Sequence, residues 1–195
     1  MISIKELKKI VYSYYPAENI LAFTDSYYNT EEIKKLYRLS EYYKLNNNLW
    51  NNLCLKIKEL LPDLEVTDVS YNYDGWLTRS YGLTINLETS NIFQTIIDIN
   101  VSYLIPYYTV SILRFKKIDD SKWEHPPFIE YSLNDLEKND LLDKVRKCVQ
   151  ETLKYKEFPV KLLFVIVPRV SFEAIKEGEF NFLNAFFIND YRIRF

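Results

Sequence analysis

The hydrophobic period of this chain changes most sharply near Pro62, and no other feature constrains the fold as tightly. Before that point apolar residues recur at steps of three and four, the spacing of one helix face. After it they alternate with polar residues, the spacing of a strand with one buried side. A chain that passes from one regime to the other is expected to be α+β, because each helix stripe and each sheet face must bury itself against another element.

The helical half has clear punctuation. Ser3 and Glu6 form a capping box, Leu7, Ile10, Val11 and Tyr14 make one stripe, and Pro16 marks the stop. Thr30 caps a second helix, with Glu31 and Glu32 in its first turn, where the helix dipole favours acids. Ile33, Leu36, Tyr37 and Ser40 share its face. Asn46, Asn47 and Asn48 break it, and Leu49, Leu53, Cys54, Ile57, Leu60 and Leu61 form the next stripe.

Alternation then takes over. Val69, Tyr71 and Tyr73 lead to a hairpin signal at Asp74-Gly75. Tyr81, Leu83, Ile85 and Leu87 make a second strand, Ile97, Ile99, Val101 and Tyr103 a third, and Tyr108, Val110 and Ile112 a fourth. The pattern predicts an antiparallel sheet meander of four or more strands within Val66 to Lys116. One face is expected to be covered by the helices of Ser3 to Pro62 and by a long helix from Asn139 to Glu157. Beyond it, Leu162 to Val167 reads as a buried strand held between Pro159 and Pro168. Ser171 is expected to cap a short helix ending at Gly178, Phe180 to Phe187 to add a helical turn, and Tyr191, Ile193 and Phe195 to end the chain as a strand. Length and the absence of repeats predict one domain over 1–195, with a helical part (1–62), a sheet (63–131) and a mixed C-terminal part (132–195).

Composition excludes several chemistries. Three glycines cannot write a phosphate-cradling loop. One His and two distant cysteines cannot supply a zinc site of the usual kind. The net charge of −2, with no run of Lys or Arg longer than two, argues against a nucleic-acid partner. Glu6, Lys8 and Lys9 break any apolar leader, so a cytoplasmic protein is expected. Cys54 and Cys148 fall on helix stripes and are expected to be buried, reduced thiols. Pro62-Asp63 begins the acid pattern of restriction-type nucleases, but both Glu-x-Lys strings lie upstream of it on helices, which rejects that reading. No cofactor, metal or membrane contact is expected, and the oligomeric state is left open.

Three features carry a function. Asp68, Asn86, Glu88, Asp98 and Asn100 are expected on the wet face of the sheet. Trp76 follows the hairpin turn, and Trp123 and His125 stand in a polar loop from Lys117 to Pro127. Acids around aromatic anchors suit a basic protein partner, because charge steers encounter while buried rings supply affinity. The adjacent pairs Tyr14-Tyr15, Tyr27-Tyr28, Tyr42-Tyr43 and Tyr107-Tyr108 each place one ring near water. As a small, acidic α+β chain without recognisable catalytic residues, the protein resembles bacterial immunity proteins in general character. That resemblance implies a non-enzymatic domain that neutralises a toxin. The alternatives are an enzyme using carboxylates, with or without a divalent metal, on the wet face, and a subunit that self-associates through its aromatics.

Overall fold

The computed structural model describes residues 2–17, 24–70, 77–90, 92–119, 122–123, 128–130, 136–173 and 175–188, with 119, 122–123, 128–130 and 136–138 described as backbone alone. The expected hairpin turn at Asp74-Gly75, the strand residues Tyr71 and Tyr73 and the terminal strand from Tyr191 lie outside these residues.

The N-terminal helices are α1 (Ile4–Tyr12), α2 (Asp25–Tyr28), α3 (Glu31–Leu45) and α4 (Asn48–Leu60). Ser3 and Glu6 form the capping box of α1, and the Thr24 and Thr30 hydroxyls cap α2 and α3. The sheet then runs β1 (Val66–Asp68), β2 (Ser80–Thr89), β3 (Phe93–Ser102) and β4 (Tyr107–Asp119), each antiparallel to the next. β4 is long, and its outer edge is paired in three pieces. β5 (Lys122–Trp123) and β6 (Phe128–Glu130) run antiparallel to it, and β7 (Lys156–Glu157) runs parallel to its start. Part of the segment expected to be a polar loop after Lys116 is therefore strand. α5 (Leu136–Leu153) precedes β7; α6 (Val160–Leu163) and α7 (Phe182–Phe186) follow it.

The α+β class and the covered antiparallel meander are as the alternation predicts. Leu83, Ile85, Ile97, Ile99, Val110 and Ile112 form one apolar face. Trp50, Leu53 and Ile57 of α4 and Leu142, Val145 and Val149 of α5 cover it. The remaining helices do something the stripes do not disclose. Leu7 and Val11 of α1, Tyr27 of α2, and Ile33 and Leu36 of α3 pack with Leu163, Val167, Val170, Phe180 and Phe186 in a second core, built with the C-terminal part.

Two further expectations are corrected. Val160–Leu163 is a helical turn, and only Ile166 makes a bridge, to Asn181. A short apolar run reads alike for strand and buried helix, and burial of Leu163 and Val167 against the second core decided the case. After Ser171 the chain forms a bridge between Phe172 and Ile175 instead of a helix, with Glu173 at φ 51° between them. Cys54 is buried and Cys148 half-buried, and both are free thiols; burial pushes the Cys54 thiol up to about 12.

Gly82 shows how tightly β1 closes over β2. The Val69 side chain lies across it, so an added Cβ would sit 3.0 Å from Val69 Cγ2. Filling a packed gap costs about 1–3 kcal/mol. Gly82→Ala is expected to lower stability by an amount in that range, and Val69→Ala in the same chain to recover part of it. Urea unfolding of the two single variants and the double variant tests this, and additive losses would show that the two positions do not touch.

Candidate functional site

Register decides which residues share the face opposite α4 and α5. Ser80, Gly82 and Thr84 of β2 stand beside Ser102, Asn100 and Asp98 of β3, and Thr109 and Ser111 of β4 complete the rows. One row reads Thr84–Asp98–Ser111 and the next Gly82–Asn100–Thr109.

Two of the five residues expected on this face are not on it. Asp68 pairs with Leu83 and so lies on the helix side, where its Oδ2 accepts from Trp50 Nε1 at 2.9 Å and its Oδ1 from the Ser70 amide and hydroxyl. Glu88 pairs with Thr95, because the register shifts between Asn86 and Glu88. One extra residue in a strand turns every later side chain to the other face. Asn86, Asp98 and Asn100 therefore share the face, while Glu88 leaves it. Trp76 and His125 lie outside the described residues, and Trp123 enters only as backbone of β5.

The face is also not wet. Asp98 is 8% exposed and Asn100 6%; Ser102, Thr109 and Ser111 are buried with them. Burial deepens along the rows. Asn86, Ile96 and Leu113 are half-buried at one end, and Ser80 is buried at the other, where its hydroxyl donates to the Phe187 carbonyl. Val69 covers Gly82 in between. Asp98 Oδ2 accepts a hydrogen bond from Asn100 Nδ2. Burial pushes the Asp98 carboxyl up to about 6, against the lowering effect of the Asn100 hydrogen bond.

Arg79 escapes sequence reasoning altogether. A lone Arg at the entry to a strand reads as surface, yet Arg79 is 2% exposed. Its Nη2 donates to the Ile188 carbonyl at 2.6 Å, its guanidinium lies 4.8 Å from the Phe172 ring centre, and its Nε has no partner among the described residues. The Glu173 carboxyl is raised by burial and drawn back down by Arg79. Tyr15 and Tyr27 fasten the same segment, donating to the carbonyls of Ala185 and Ser171. Arg79 ties the C-terminal part to the start of β2, and Tyr15 and Tyr27 tie it to the N-terminal helical part.

The exposed chemistry lies elsewhere, at the elbow between α3 and α4. Tyr42 is 58% exposed, Leu45 81% and Leu49 64%. The sequence stripe put Leu49 in the core. The structure buries Trp50 instead, and the stripe becomes Trp50, Leu53, Cys54, Ile57 and Leu61. From Tyr42 to Leu55 the only charged residue is Lys44, and its Nζ is 2.7 Å from Glu41 Oε1. Asn46, Asn47, Asn48, Asn51 and Asn52 supply the polar groups of the stretch. The elbow thus offers three large apolar groups in a neutral, amide-rich setting.

Among the described residues no group of three or more His, Cys, Asp or Glu is placed to hold a metal ion, and no helix is long and apolar enough to cross a membrane. Compared with protein-family models, curated proteins and solved structures, the chain matches none.

Asp98 sets a pH dependence. Its folded-state pKa is raised from 3.8 to about 6, so the fold favours the protonated carboxyl. Its contribution to stability is fully present below about pH 4 and is lost as pH rises through 6, and the loss amounts to roughly 3 kcal/mol in all. Asp98→Asn keeps an acceptor for Asn100 and cannot ionise. It is expected to match the wild type near pH 4 and to exceed it at pH 7.5. Denaturant unfolding at the two pH values measures this, and an equal difference at both would show that Asp98 ionisation does not destabilise the fold.

Proposed function

We propose that this protein is a non-enzymatic protein-binding domain that docks its partner on the α3–α4 elbow. The observation that carries the reading is the exposure of Tyr42, Leu45 and Leu49 together on two helices whose other faces are fixed in the cores. Interface centres are depleted of charge and anchored by large apolar groups, with hydrogen-bonding groups around them. The Tyr42–Leu55 stretch has that composition in a chain that is 27% charged overall.

The partner's matching surface is apolar and neutral rather than basic, since the elbow carries no free charge to steer a cation. Neutralisation of a toxin domain, as in bacterial immunity proteins, is the specific role we favour. An α+β scaffold that holds a short apolar patch rigid suits tight, reversible inhibition, because little order is lost on binding.

The test uses the purified product of the gene adjacent to this one. Leu45→Glu and Leu49→Glu each place a charge at an exposed position, so melting temperature should change little while affinity falls at least tenfold by calorimetry. Wild-type affinity in both variants would overturn the elbow as the interface. Sedimentation of the chain alone checks the competing occupant: a dimer that dissociates in Leu45→Glu would make the elbow a self-association surface.

A further inference from the structure

We draw no further inference here: the strongest candidate, the buried guanidinium of Arg79 against the Phe172 ring between the start of β2 and the C-terminal part, already serves to fasten the Ile188 carbonyl, and nothing among the described residues shows an open space or a ligand at its unpartnered Nε.

Discussion

The indole of Trp50 lies flat on the Tyr81 ring, with centroids 4.8 Å apart, and much of the structure follows from that contact. Burying the largest side chain of α4 against β2 fixes the rotation of the helix about its own axis. Leu53, Cys54 and Ile57 then meet the sheet, and Leu49, one residue before Trp50, is turned away from it. The indole N–H needs an acceptor once buried, and Asp68 supplies it. That hydrogen bond holds β1 beside the helix, and Val69 then reaches over Gly82. One aromatic contact thus links the exposed elbow, the edge strand and the closing of the far sheet face.

The far face is where the fold departs from the usual half-wet antiparallel sheet. Its polar side chains are buried with few partners among the described residues, and Arg79 is buried at one end with a single carbonyl and an aromatic ring. Unpaired buried polar groups cost free energy and are retained where they do something. Arg79, Ser80, Tyr15 and Tyr27 use theirs to fasten the C-terminal part through backbone carbonyls.

Sequence patterning reached the elements well where the signal was local. Helix caps at Ser3 and Thr30 depend on residues three apart, and strand alternation at Ile97, Ile99 and Val101 depends on residues two apart. It failed where one residue more or less changes the outcome. Glu88 looks equivalent to Asn86 until the bulge turns it over. Leu49 looks like core until Trp50 claims the helix face. Leu162 to Val167 looks like a strand because a short apolar run carries no period of its own.

By itself the sequence determined the α+β class, the antiparallel character of the sheet and its apolar face, because these rest on periodicity within a few residues, while the strand order came from the tertiary structure. Only the tertiary structure decided that the opposite face is closed, that α1 joins the C-terminal part in a second core, and that Arg79 and Asp98 are buried. Periodicity states which side of an element prefers to leave water. It does not state what else is available to cover the other side, and burial is a property of that second surface.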